Sequence, residues 1–387
     1  MPKTTAAQWL QEHATELRYL CDQVWDYSEV SLQEHQSSEL LAGYLAKQGF
    51  TIQRGVAGMP TAFIATYGKG QPVVGLLGEY DALPGLSQAK DPRRSALADG
   101  GPGHGCGHNL LGTGAVAAAV AVKQAIAAGE VEGQVRFYGC PAEETLVGKV
   151  FMARAGLFDD LDAAITWHPM AVNSVWESNT LAMNSVQFTF HGVTAHAAAN
   201  PDLGRSALDA VELMNIGVNF LREHMPPDAR IHYVITNGGG EPNVVPATAT
   251  VWYYVRAPLR ADVDALYERV VNCAKGAALM TGTTFTTDFL TGCHDFQPNT
   301  ALGEAAVANL KSVGAPKFTA EDEAFARQLN ESFPAGQKAA QIRGLGITGL
   351  KADDLYHTGI ADTWGRGQVC HGSTEVGDVS YITPTAQ

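Results

Sequence analysis

The stretch Pro72-Val73-Val74-Gly75-Leu76-Leu77-Gly78-Glu79-Tyr80-Asp81-Ala82-Leu83-Pro84 decides the fold. Its short, continuous apolar run fits a central strand buried on both faces, and the run leads straight into two carboxylates. Open α/β sheets collect their functional groups just beyond the carboxyl ends of such strands. The arrangement returns twice. Gly133-Gln134-Val135-Arg136-Phe137-Tyr138-Gly139 reads as a strand delivering Cys140-Pro141-Ala142-Glu143-Glu144, and residues 161–166 read as a strand delivering Trp167-His168-Pro169.

Between the first two of these strands lies Gly103-His104-Gly105-Cys106-Gly107-His108-Asn109, which opens an apolar run from 110 to 128 broken by Lys123. The run predicts a buried helix and not a membrane span. Upstream, residues 5–46 carry the pattern of two helices, and alternation at 50–53 and 61–67 predicts two further strands. After Asn179 the texture changes to a βαββαβ order, with strands near 185–192, 231–236 and 248–256 and helices at 206–222 and 262–279. The fold class expected is α/β, an open mixed sheet in residues 1–179 and 291–387 with an α+β sandwich inserted at 180–290.

A chain of 387 residues exceeds one ordinary core, which agrees with two domains. A hydrophobic content of 45% and a charged content of 17% describe a well-buried soluble globule. The net charge of -14 offers no basic stripe for phosphates, so nucleic acid is excluded as a partner. The start, Met1-Pro2-Lys3-Thr4-Thr5, runs into a helical pattern and not the apolar segment of a signal peptide. The six scattered cysteines read as free thiols in a reducing, cytoplasmic setting, with no membrane association.

Glycines around Cys106 and His108 let the backbone turn tightly enough to aim a thiolate and imidazoles at one point. A phosphate cradle is the competing reading. Its G-x-G-x-x-G spacing is absent, and no strand immediately precedes the loop. A redox role for Cys106 lacks a Cys-x-x-Cys pair. Adjacent Glu143 and Glu144 cannot point the same way, so one can bind a cation while the other takes a proton from water; the plain alternative is a solvated helix start. His168 by itself would be an ordinary half-buried histidine. Together Cys106, His108, Glu144 and His168 offer S, N and O donors suited to zinc, manganese or cobalt.

Four ordered segments, Gly78–Pro84, Gly105–Asn109, Pro141–Glu144 and Trp167–Pro169, resemble the co-catalytic metallopeptidase and amidohydrolase family of aminoacylases, carboxypeptidases and indole-acetyl-amino-acid hydrolases. The resemblance covers essentially the whole chain. It implies two divalent metals per protomer, zinc or manganese, with Cys106 bridging, His108 and His168 completing one site and Glu144 entering the other. It further implies Glu143 as general base and Asp81 as the carboxylate that orients a ligand histidine. The inserted domain becomes a dimerisation domain whose His196, in Gly192-Val193-Thr194-Ala195-His196, reaches the site of the partner protomer to polarise the scissile carbonyl.

Asn243 and Arg256 match positions that hold a substrate carboxylate. Arg256 ends an apolar strand, where a guanidinium can grip a carboxylate with two parallel hydrogen bonds, or else sits in solvent as an ordinary strand-end arginine. The plain alternatives for Asn243 and His196 are a turn residue and a helix cap. The activity implied is hydrolysis of the amide bond of N-acyl amino acids, an aryl-amide glutamate among them, by a homodimer or a hetero-oligomer with a sister subunit. One departure stands out: the family's last ligand histidine follows the Gly-Asp-Val-Ser region, and this sequence reaches Gln387 without it, His357 and His371 lying in other contexts. The second metal site is therefore expected to lack a ligand. The alternative reading is a shortened or inactive paralogue that serves as a dimeric binding protein or a partner subunit.

Overall fold

The computed structural model describes residues 3–344 and 349–387, which form two compact units. The larger comprises the described residues up to Asn179 with Gln297–Cys370 and Asp378–Gln387; the smaller comprises Thr180–Phe296 and His371–Gly377. The boundary expected at 290 falls inside the strand Thr284–Cys293, and the segment 371–377 joins the smaller unit without any local pattern that announces it.

The larger unit is built on strands β1 (Thr51–Arg54), β2 (Phe63–Lys69), β3 (Val73–Glu79), β4 (Gly133–Cys140) and β5 (Ala163–Ile165), with Thr385–Ala386 as a sixth strand. The order is β1-β2-β4-β3-β5 followed by the last strand. β3 runs parallel to β4 and β5, and β2 is antiparallel to both β1 and β4, so the sheet is mixed as expected. The stretch that decided the fold is central, and β3 buries nearly every residue. Because β3, β4 and β5 are parallel, their carboxyl ends, at Glu79, Cys140 and Ile165, open on the same edge of the sheet.

Three helices, α1 (Lys3–Glu12), α2 (Ala14–Tyr27) and α3 (His35–Lys47), occupy the region read as two. The first expected helix is divided at His13, whose ring nitrogen engages the Trp9 carbonyl at 2.9 Å. Helix α4 (His108–Ala127) packs on β3 and beside α1 and α2. Its length and apolar composition suit a membrane span, yet 56% of the apolar window is buried in this unit, where Ala115, Val116, Ala119 and Val120 meet Phe63, Leu76 and Phe137. It is a core helix. A further helix, α5 (Gly148–Arg154), follows β4.

The smaller unit realises the βαββαβ order with β6 (Ala182–His191), α6 (Ala207–Leu221), β7 (Arg230–Asn237), β8 (Thr248–Ala257), α7 (Arg260–Thr281) and β9 (Thr284–Cys293). Its sheet order is β7-β8-β6-β9, antiparallel throughout. Along β8 Val251, Tyr253, Val255 and Ala257 are buried against the two helices, and Trp252, Tyr254 and Arg256 face the other way. Ser206 caps α6 by accepting from Asp209 N–H at 3.1 Å.

Candidate metal centre

The parallel strand ends set out the site. Gly107, at φ 81, takes the left-handed conformation just before α4 and turns the chain so that His108 starts the helix; a Cβ there would also meet Pro169 at 3.0 Å. One helical turn on, Gly112 lets α4 lie against the end of β3, with Cβ space only 2.4 Å from the Glu79 carbonyl oxygen. Cys106 and His108 are thereby brought beside Glu79 and Asp81 from β3 and His168 from beyond β5.

Two groups of donors result. Cys106, His108 and His168 have ligand atoms all within 4.8 Å of one another, and so do Glu79, His108 and Glu143. Cys106 Sγ lies 3.2 Å from His168 Nε2. A cation with ligand bonds of about 2.1–2.3 Å in tetrahedral geometry holds its donors roughly 3.4–3.6 Å apart. The spacing therefore fits such an ion.

The orienting contacts fit as well. Asp81 Oδ1 sits 3.0 Å from His108 Nδ1, while Asp81 Oδ2 accepts from Ser31 Oγ at 2.8 Å and from Glu144 N–H at 3.0 Å. With Nδ1–H committed to Asp81, His108 presents its Nε2 lone pair inward, and that atom is buried without a hydrogen-bond partner. Glu144 Oε1 is likewise buried and unpartnered, 4.0 Å from His108 Nδ1. Buried polar atoms left in this state mark a place for a ligand. Of the four predicted ligands, three form one group; Glu144 stands beside it and belongs to neither group of donors within 4.8 Å.

The electrostatics follow from crowding anionic donors into a buried space. Burial opposes ionisation of Cys106, but hydrogen bonds and charge from His108 and His168 outweigh it and lower the thiol to about 6, so a thiolate prevails at neutral pH. Burial also opposes a charged His108, yet Asp81, Cys106 and Glu79 push the imidazole up to about 12. Glu144 is raised to about 8 by burial and then by the Cys106 thiolate. For Asp81 burial is overcome by His108, the Glu144 N–H and Ser31, which hold it below the usual carboxylate range.

Three residues of this site carried no assigned role in the sequence. Glu79 lies 3.3 Å from His108 Nε2 and is ion-paired at 2.6 Å with Lys149, whose side chain is fully buried. Glu34, also fully buried, accepts from Ala142 N–H and Thr61 Oγ1, both at 2.9 Å, and so braces the residue before Glu143. Ala142 itself sits at φ 57, a left-handed conformation unfavourable to a residue with a Cβ. Burial, and next the Asp81 charge, raise Glu34 to about 7. His104, in the same glycine-rich loop, takes no part: its Nε2 engages Val24 O at 2.9 Å, and burial lowers it to about 4.

Beside His168 opens a largely apolar cavity of about 630 Å³, lined among others by Trp167, Met170, Trp176, Leu310 and Trp364. The indole N–H of Trp176 is buried there without a partner.

The other predicted residues belong to the smaller unit. His196 is exposed, and its Nδ1 accepts from the N–H groups of Ala198 and Ala199 at 3.2 and 3.1 Å, which leaves the neutral ring its proton on Nε2. The His196 segment pairs with the Asn243 segment: Ala197 N–H donates to Asn243 O at 2.9 Å. Arg256 is half-buried, its guanidinium 5.2 Å from the Tyr254 ring centroid and its Nε buried without a partner. Its Nη1 reaches Ser373 Oγ at 3.5 Å.

Comparison with known proteins fits this chemistry. Residues 75–346 match the description "Peptidase family M20/M25/M40". The chain belongs to that family, whose members are metal-dependent hydrolases of amide and peptide bonds. It is 46% identical to one of the two chains of the p-aminobenzoyl-glutamate hydrolase of Escherichia coli K12, over 379 residues, 95% of this chain and 79% of that one. The other chain of the same hydrolase is 28% identical over 235 residues, 57% of this chain and 53% of that one. Mouse Xaa-Arg dipeptidase is 33% identical over 335 residues, 83% of this chain and 73% of that one. Among solved structures, a dinuclear metal-binding M20-family peptidase of Bacillus subtilis matches the fold with a TM-score of 0.60 at 18% identity, covering 97% of this chain and 88% of that one.

Proposed function

We propose that this amidohydrolase cleaves N-acyl amino acids in which an aromatic acyl group is joined to an amino acid with a free carboxylate, p-aminobenzoyl-glutamate being the leading candidate. The observation that carries the reading is the buried, unpartnered Nε2 of His108, oriented by Asp81 and set among Cys106, His168 and two glutamates. Cys106, His108, His168 and Glu144 would hold divalent cations of the zinc or manganese type, two per protomer, the second with fewer protein ligands. Such ions supply Lewis acidity, polarising the carbonyl and lowering the pKa of a water towards neutrality.

The protein's own groups do the rest. Glu143 takes the proton of the attacking water and returns it to the leaving amine. Its carboxylate is fixed in place by the left-handed turn at Ala142 and the Glu34 brace. His196, with its proton on exposed Nε2, is poised as a donor to the oxyanion in the site of a partner protomer in a homodimer. Asn243 and the unpaired Nε edge of Arg256 take the substrate carboxylate. The cavity beside His168 has the size and aromatic walls to accept an aryl group. Likeness to both chains of one two-chain hydrolase supports a hetero-oligomer with a sister chain as a second assembly.

The test uses the purified chain supplied with manganese or zinc and a panel of N-acyl amino acids, reading amino acid release. Glu143→Ala should abolish turnover while metal content persists. Full activity in that variant removes the base and with it this mechanism.

A further inference from the structure

A fully buried lysine is costly unless an anion neutralises it, and Lys149 has its partner in Glu79 Oε1, 2.6 Å away. The other carboxylate oxygen, Glu79 Oε2, is buried without a hydrogen-bond partner and points at the equally unpartnered Nε2 of His108 across 3.3 Å. With Nδ1–H of His108 bonded to Asp81, two lone pairs face one another there. Such an approach is repulsive unless a positive charge lies between the two atoms. Glu143 Oε2, 3.7 Å from the same Nε2, closes the group. Separations of 3.3 and 3.7 Å bracket the roughly 3.4 Å edge of a tetrahedron of donors around an ion with bonds of about 2.1 Å.

We infer that Glu79 is a further oxygen ligand of the cation held by His108, and that Lys149 is a positioning residue that fixes Glu79 and tempers its charge. This adds to the ligands carried by the family motifs, Cys106, His108, Glu144 and His168, and rests on the metal-centre reading above. It also supplies an oxygen donor at a centre expected to be one ligand short. Lys149 does two things: it leaves one oxygen of Glu79 free to bind, and it withdraws electron density so that the bound ion keeps its acidity.

The two residues therefore affect metal affinity with opposite signs. The metal-stripped chain is titrated with Mn²⁺ or Zn²⁺ against a fluorescent chelator. Lys149→Met, which leaves Glu79 at full negative charge, should bind the ion about tenfold more tightly or better. The pair Glu79→Gln with Lys149→Met, which removes both charges together and spares the core an unpaired ion, should bind it roughly ten- to a hundredfold more weakly. If the double variant keeps wild-type affinity, or if both variants loosen the metal alike, Glu79 is only the counter-ion of Lys149 and the inference is overturned. Cys106→Ser separates the two levels: unchanged metal binding in that variant overturns the metal-centre reading itself, whereas weakened binding there with an unaffected double variant removes only Glu79. Should Lys149→Met not fold, the double variant still decides between the outcomes.

Discussion

Gly112→Ala is expected to damage the site without touching a single donor atom. The added Cβ would lie 2.4 Å from the Glu79 carbonyl oxygen, a backbone atom that cannot swing aside, while ordinary contact begins near 3.4 Å. Helix α4 and strand β3 must therefore part by roughly 1 Å, the difference between those two distances. Overpacking of this kind costs about 1–3 kcal/mol, offset by up to about 1 kcal/mol for replacing glycine within a helix. A net loss of about 1–2 kcal/mol should appear as a lower urea midpoint. The same displacement separates His108, one turn away on α4, from Glu79 on β3, and a misplacement of about 1 Å typically costs a hundredfold in turnover. Metal affinity by chelator competition and kcat/KM on an N-acyl amino acid should both fall. Gly276→Ala in α7, where nothing lies within 4 Å of the added Cβ, is the control and should be neutral or slightly stabilising. Wild-type metal affinity and stability in Gly112→Ala would refute the claim that close approach of α4 to β3 sets the site.

Two further outcomes follow from single side chains. Arg256→Ala removes a charge-assisted grip worth about 1.5–3 kcal/mol, so KM for substrates with a free carboxylate should rise roughly ten- to a hundredfold, and steady-state kinetics should show no such rise for amide-capped analogues. Glu34 is raised from 4.5 to about 7, so the folded chain holds that proton more tightly than the unfolded one; its contribution to stability is full below about pH 4.5 and is lost as pH rises through 7. The shift corresponds to about 3 kcal/mol at most. In the metal-free protein the stability of wild type relative to Glu34→Gln should therefore decline between pH 4.5 and 7 in urea titrations, and a flat difference would show that Glu34 is not protonated there.

The parts of this molecule legible in the sequence are those with a local signature. The run Val73–Leu77 announced a strand buried on both faces, and the βαββαβ order of the smaller unit lay in alternation and helical period, recovered within a few residues at each element. Cys106, His108 and His168 were legible because strand ends and glycines constrain where a donor can point. Glu34 and Lys149 were not, since each is a charged residue in a helical context that reads as solvated surface. Only the contacts Glu34–Ala142, 108 residues apart, and Lys149–Glu79 reveal that both are buried. The segment 371–377 was missed for a related reason: it joins the smaller unit through backbone bonds such as Leu181 N–H to Gly372 O, which leave no periodic trace.

Those long-range contacts also explain why the site reads as a cation site before any ion is considered. Glu79, Asp81, Cys106, Glu143 and Glu144 bring five potential anions to one buried space, and Lys149 is the fixed positive charge placed directly against them. Protons must make up the deficit in the metal-free chain. That is the common cause of a His108 driven up to about 12 and a Glu144 driven up to about 8, two shifts that would otherwise have no connection. A divalent ion supplies the same charge at the same atoms without needing a hydrogen bond to each. The donors are already held apart at coordination distances by Asp81, Lys149 and the Glu34 brace, so the fold bears the electrostatic cost of an arrangement that only a cation relieves.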